Sequence, residues 1–458
     1  MRKFLLFFIV LVSISIWVFA EVTIHFKNGR NISGNLININ KDEIAIAIAS
    51  KSGIVQIKIL KEEIDNINGF SFDEFYKANV IFDTKIYEEG KAQEQSFQEA
   101  IRLVEEKRKL KFLFEIKKEI LNKNTFDEYF RKKVEKELKE EDIIKGEKLL
   151  VRLGLLDKGI EYKTFILDLF SKSIYAFYDF NENKIYFIKE IISSINPFIP
   201  NEVFLHELVH ALQDQYIYLD RLEDNFKGLP SDTRVAIKSV IEGEATFVSY
   251  SIISDYIKKI SKKYNNRLES LDLENFILEF MLLATKKISA ANDRHLIAYL
   301  IFPYIRGALF IKYAFDNGGW ELVDKLYKDL PLSTEQIFHP EKYFFIKDQP
   351  IYLEEKNFDF LTKEGFKKIL SDRLGELTFY IILSKYLDDT LAKTIAAGWG
   401  NDYCYLYESK EQKAILIMDT IWDSTSDAEE FFKGIKALCD KKYSQLNWQT
   451  NKDFFIGE

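Results

Sequence analysis

Cysteine is nearly absent from this chain. The two among its 458 residues, Cys404 and Cys439, cannot build a disulfide scaffold. Neither lies in a C-x-x-C pair, which argues against a thiolate zinc site. In an oxidising compartment they could still close one C-terminal bridge. No Lys/Arg-rich block stands out, and the formal net charge is -8 with a pI near 5.5, so nucleic acid is not an expected partner. Internal repeats and low-complexity linkers are also missing. What is present is apolar material, 47% of residues against 30% charged, which excludes wholesale disorder. The length exceeds what one compact domain usually holds.

The first twenty residues are Arg2 and Lys3 followed by an apolar run from Phe4 to Phe19, broken only by Ser13 and Ser15. Val18 and Ala20 are small residues at -3 and -1 of a cleavage site. This layout predicts a secretory signal peptide over residues 1–20, hence an exported protein: periplasmic, in the cell envelope or secreted. Left uncleaved, the segment would be a membrane anchor of marginal spanning length. No cysteine lies near the cleavage site, so a lipoprotein is not indicated.

Residues 21–69 alternate in short runs, "VTIHF", "NISGNLIN", "EIAIAIAS" and "SGIVQIKI", then "DNING" after the polar turn "LKEEI", and Asn28-Gly29 is a hairpin signal. Five short strands in that space predict a small β-barrel, and the opening Phe26-Lys27-Asn28-Gly29 strand resembles SH3-like barrels. Residues 70–150 mix apolar and charged positions at helical spacing. "IYAFYDFNENKIYFIK" (174–189) reads as two strands around the turn Asn181-Glu182-Asn183. Pro200 suits the first turn of the helix that follows. Helices continue to about residue 328, and "DLPLSTEQIFHPEKYF" is loop-like. A helix near 366–387, strands at "YCYLYE" and "AILIMDTIW", and a helix over 426–440 complete the chain.

Only five histidines are present, and two fall in "FLHELVHALQDQ", residues 204–215. In a helix, His206 and His210 share one face a turn apart, so both can reach one zinc ion. Glu207, one residue on, is placed to take a proton from the water that a zinc ion activates. Two core histidines on an apolar helix are the bland alternative, and that alternative needs buried partners for three polar groups. A catalytic site also needs a third protein ligand. The metzincin spacing lacks its third histidine, and Tyr216 stands where the aspzincin pattern has aspartate.

The motif together with "VIEGEAT" (240–246) resembles the gluzincin zinc peptidases, whose third ligand is a glutamate on a later helix, often within E-G-x-A. The resemblance implies Glu242 as that ligand, with Glu244 as runner-up. Gly243 would let the motif's two helices approach closely, and Ala245 would keep that contact small. Thr246 replaces an aspartate that orients a ligand histidine in related enzymes. Asp214 either takes that role or simply ends its helix. The resemblance also implies an edge strand that holds an extended peptide, for which "KIYFIKE" (184–190) is the candidate. For the oxyanion donor, His339 and Tyr304 are the candidates, with Arg306 also nearby in sequence. His25 reads as structural, and His295 as a helix-surface residue.

"FYD", "HELVHALQDQ", "IEGEAT", "FPYIRGALF", "STEQIFHPEKY" and "AAGWGNDYCYLYE" together resemble uncharacterised exported bacterial metallopeptidases over roughly residues 110–445. Trp399 and Asp402 could frame a pocket, or could belong to a glycine-rich turn. The implied protein is an α+β chain: signal peptide 1–20, small SH3-like barrel 21–69, helical segment 70–150, mainly helical zincin-like catalytic core with a short sheet 151–345, and C-terminal α+β region 346–458. It would be a peptidase holding Zn2+ with His206, His210 and Glu242, using Glu207 as general base on a peptide or protein substrate. The alternatives are an envelope scaffold with a structural or inactive zinc site, which needs a fourth protein ligand, and a zinc hydrolase acting on a non-peptide bond.

Overall fold

A computed structural model describes residues 12–14, 21–39, 42–50, 53–67, 71–73, 89–137, 139–189, 202–219, 226, 228–263, 294–442, 448–451 and 454–457. Apart from Val12–Ile14, the expected signal segment lies outside these residues, as does the Pro200 turn.

Val12–Ile14 forms a short strand, β1. The N-terminal alternation then becomes β2 (Glu21–Phe26), β3 (Asn31–Ile39), β4 (Glu43–Ser50), β5 (Gly53–Leu60) and β6 (Ile64–Ile67). The Asn28-Gly29 turn closes the first hairpin with Gly29 at φ 80°. Four strands meander antiparallel and β6 returns beside β2, giving the order β5-β4-β3-β2-β6. One face buries Ile24, Ile44, Ile46, Ile59, Ile64 and Ile67. The expected closed barrel does not form among the described residues. Four-residue β6 is used up in pairing with β2 and does not reach β5, so the sheet stays open.

The rest of the chain runs α1 (Glu89–Arg108), β7 (Lys117–Leu121), α2 (Lys123–Glu137), α3 (Glu140–Leu153), α4 (Tyr162–Ser173), β8 (Ile174–Asp179), β9 (Lys184–Ile188), α5 (Glu202–Ile217), α6 (Ser231–Lys263) and α7 (Arg294–Leu326). It continues with α8 (Thr334–Phe338), α9 (Asp359–Lys363), β10 (Lys367–Asp372), α10 (Gly375–Ser384), α11 (Asp389–Ala396), β11 (Trp399–Glu408), β12 (Ala414–Trp422) and α12 (Thr425–Lys442). This is a mixed α+β architecture with small sheets.

Three expectations about the sheets are corrected. Residues 117–121 are strand within the segment read as helical, because β7 finds a parallel partner in β9 more than sixty residues away. "KIYFI" is not an edge. The sheet order is β1-β8-β9-β7, so β9 is internal, as its run of buried residues suits. The helix expected near 366–387 starts late: Lys367–Asp372 pairs with β11, and Gly375, at φ 75°, turns the chain into α10. Cys404 and Cys439 are not joined by a disulfide.

One buried apolar cluster extends from Phe97 to Leu438, with α5, α6 and α7 at its centre. Where α6 crosses α7 the two backbones touch. A Cβ added to Gly243 would lie 2.2 Å from the Gly307 carbonyl carbon, and one added to Gly307 would lie 2.1 Å from the Ser239 oxygen. Gly243 therefore does permit a close helix approach, but to α7 and not to the helix carrying "HELVH". The same contact accounts for the glycine in "FPYIRGALF".

Candidate metal centre

Helix α5 is buried along nearly its whole length, and Leu205, Leu208, Val209 and Leu212 anchor it in the core. That burial points its polar positions at a few fixed partners. His206 Nε2 and His210 Nε2 lie 3.1 Å apart, and Glu242 Oε2 is 3.3 Å from each. All three residues are buried. Donors about 2.0–2.1 Å from one tetrahedral ion are separated by roughly 3.3 Å, so this triangle fits zinc in both spacing and donor chemistry.

The groups behind the triangle orient it. The His210 Nδ1–H donates to Gln213 Oε1 (2.8 Å), which leaves the Nε2 lone pair facing Glu242. The amide orientation follows from its surroundings: Gln213 Nε2 lies 3.0 Å from the Ile241 carbonyl and 3.1 Å from Glu244 Oε2, both acceptors. Glu244 is not brought to the histidines. It accepts from Arg108 Nε (2.5 Å) and from the Tyr327 hydroxyl, while Arg108 also bonds Asp324 and stacks 4.4 Å from the Trp320 ring centre. Asp214 accepts from the Tyr178 hydroxyl (2.7 Å) and the Leu219 amide (2.9 Å), so it ends the helix and does not orient a histidine. Gln213 does that work and escaped the sequence reading. Its signal was present: it lies three residues after His210, on the same face. Gln213→Leu should weaken metal affinity about 10–100-fold in competition with a chelator, whereas Asp214→Asn should leave it unchanged.

Glu207 is fully buried, and its Oε2 accepts the Tyr178 amide proton of β8 at 2.6 Å. The "FYD" phrase thereby acquires roles: Phe177 is core, Tyr178 ties β8 to α5, and Asp179 accepts from Lys133 at 2.5 Å. Tyr304, from α7, donates to Glu242 Oε1 at 3.1 Å, and its ring stacks 6.0 Å from that of His206. Lys238, one turn before Glu242 on α6, brings its ammonium within 3.9 Å of Glu242 Oε1 and was also missed. His339 is not brought into the cluster. It caps the C-terminus of α8 and bonds Glu376 (3.0 Å) on α10. Arg306 lies over the Phe338 ring. His25 sits within β2, opposite Asn31, and His295 is half-buried at the start of α7.

Burial pushes the His206 pKa down to about 4, only partly offset by Glu242, so this ring is neutral at pH 7. Burial also lowers His210, but the Glu242 and Glu207 carboxylates outweigh it and the net shift is upward. For Glu242 burial works against ionisation, yet its contacts with His206 and His210, with the Lys238 ammonium nearby, hold it well below the usual carboxylate range. A second group of carboxylates, Glu335, Asp348 and Asp423, is already bridged by Lys342 at 2.6, 3.3 and 3.0 Å.

Residues 364–455 match a family described as a domain of unknown function (DUF8575). No curated protein and no solved structure matches the chain. The matched segment holds β10 to α12 and grips the start of the helix that carries Glu242. Asp372 accepts from the Ser231 amide (2.8 Å), and the Asp232 amide donates to the Arg373 carbonyl (3.3 Å). Asp402 accepts from the Leu374 and Gly375 amides and from Trp399 Nε1 (2.8, 2.9 and 2.9 Å), so the "GWGNDY" residues brace α10 and do not frame a pocket.

Proposed function

We propose that the chain is an exported zinc-dependent peptidase of gluzincin type, with a zincin-like core and an SH3-like accessory module at its N-terminus. The observation that carries this reading is the buried triangle of His206, His210 and Glu242, with Glu207 next to the first histidine. Zinc bound there would polarise the scissile carbonyl and lower the pKa of water. The protein's own groups do the rest. Glu207, oriented by the Tyr178 amide, takes the proton of the attacking water and returns it to the leaving amine. Gln213 keeps His210 in one tautomer, and Tyr304 holds the outer oxygen of Glu242.

A peptide substrate is favoured by β8, which lies against α5 on the Glu207 side. Its outer side accepts an added strand: β1 runs antiparallel there, with Val12 opposite Phe177. With residues 1–20 removed as the expected signal peptide, β8 would become the edge, and an extended peptide adding there would use the backbone groups that β1 occupies. The scaffold alternative needs a fourth ligand to close the site. Its candidates Glu244, Asp214 and His339 are already bonded to Arg108, Tyr178 and Glu376.

The purified protein should carry about one zinc per chain, held by three protein donors, and cleave unfolded casein. Glu242→Ala should lose both. Native protein that takes up no zinc would sink the proposal, and full metal retention in Glu242→Ala would move the third ligand elsewhere.

A further inference from the structure

Lys238 is the unexplained group of this site. Its side chain is 12% exposed, and its ammonium stands 3.9 Å from Glu242 Oε1, beyond hydrogen-bond length. The ring of Tyr304 lies 5.8 Å away. Among the described residues no acceptor lies within hydrogen-bond reach of its three N–H groups. A largely buried ammonium left in that state costs free energy that a surface Lys–Glu pair at i,i+4 spacing would not. The position makes physical sense if an oxygen bearing negative charge arrives there. Of the two donors expected from the sequence, His339 is bonded to Glu376 away from the cluster, and Tyr304 is less suited, because its hydroxyl proton is committed to Glu242. The charge that develops next to a ligand carboxylate is that of the reacting carbonyl, not that of a remote part of the substrate.

We propose that Lys238 is a further catalytic residue, the donor that stabilises the oxyanion formed as water adds to the scissile carbonyl. This inference rests on the peptidase reading. In the step, the water oxygen forms a bond to the carbonyl carbon, the C=O π pair moves onto oxygen, and the water proton passes to Glu207. On collapse the C–N bond breaks, the lone pair on oxygen restores the carbonyl, and the Glu207 proton goes to the departing nitrogen. Lys238 keeps its proton throughout and only donates hydrogen bonds.

The test uses the full chain loaded with cobalt(II) and titrated with azide, a small anion independent of peptide specificity, followed through the visible cobalt bands. Lys238→Met should still bind one cobalt but hold azide at least about tenfold more weakly, the loss expected for one hydrogen bond to a charged group. Lys238→Arg should recover most of that affinity. On casein, Lys238→Met should lose about 100-fold or more in kcat with KM little changed, as removal of an oxyanion donor does. Unchanged azide affinity in Lys238→Met would overturn the proposal. So would loss of cobalt from that variant, which would make Lys238 a support for Glu242, or a raised KM with kcat retained. If native protein itself takes up no cobalt, the metal-centre reading fails first, and the two failures are told apart by the native titration. The azide measurement decides even if casein is not cut.

Discussion

Glu207→Gln should bind as much zinc as the native chain and cleave unfolded casein about 10²–10⁴-fold more slowly, the usual contribution of a positioned general base. The substitution is nearly isosteric, and the amide oxygen can still accept the Tyr178 amide proton that fixes the native carboxylate. What disappears is the ability to take a proton. Glu207 donates no atom to the triangle of His206, His210 and Glu242, so metal content should not change. The side chain is fully buried, and replacing a buried carboxylate with a neutral amide should not destabilise the fold through uncompensated charge. Metal analysis beside initial rates separates the outcomes. A variant that keeps its rate removes Glu207 from the chemistry, and one that loses its zinc makes Glu207 a support for the ligands.

Gly307→Ala should lower stability by about 3 kcal/mol, at the severe end for an overpacked core, and should weaken metal binding with it. The new methyl would sit 2.1 Å from the Ser239 carbonyl oxygen, and a backbone atom cannot swing aside as a side chain can. Helices α6 and α7 must therefore separate. That motion carries Glu242 and Lys238 on one helix away from Tyr304 on the other. Gly243→Ala, meeting the Gly307 carbonyl carbon at 2.2 Å, should behave alike. Gly146→Ala in α3 is the control. Its nearest neighbour would be a Tyr162 ring carbon at 3.9 Å, so it should be neutral or stabilising by up to about 1 kcal/mol, the helix-propensity difference between the two residues. Denaturant midpoints and chelator competition on the three variants check both effects. Equal stability of Gly307→Ala and Gly146→Ala would show that the crossing tolerates a methyl group.

The helix that carries His206 and His210 was legible because its signal is local. Four-residue spacing puts His206 and His210 on one face whatever surrounds them, and Glu207 follows in sequence. The hairpin around Asn28-Gly29 and the strands β11 and β12 were readable for the same reason, since alternation and turn chemistry act over a few residues. Where backbone partners lie far away in the chain, local pattern misled. Lys117–Leu121 and Lys367–Asp372 look helical among helical neighbours, yet β9 and β11 draw them into sheets. The edge was likewise misplaced onto β9, which lies between β8 and β7, because strand order is set by pairing that no window of sequence contains.

Within the site the division is similar. Sequence alone determined the two histidines, the adjacent Glu207 and a short list of acidic partners, because helical periodicity relates them. Only the tertiary structure decided that Glu242 meets both histidines while Glu244 turns to Arg108, that Gln213 and not Asp214 stands behind His210, and that Tyr304 bonds the outer oxygen of Glu242 with Lys238 nearby while His339 goes to Glu376. Those choices depend on how closely α6 and α7 approach and on which side of each helix the core covers. Both are properties of packing between segments distant in sequence, where the free energy of a contact depends on neighbours that the local residues do not specify.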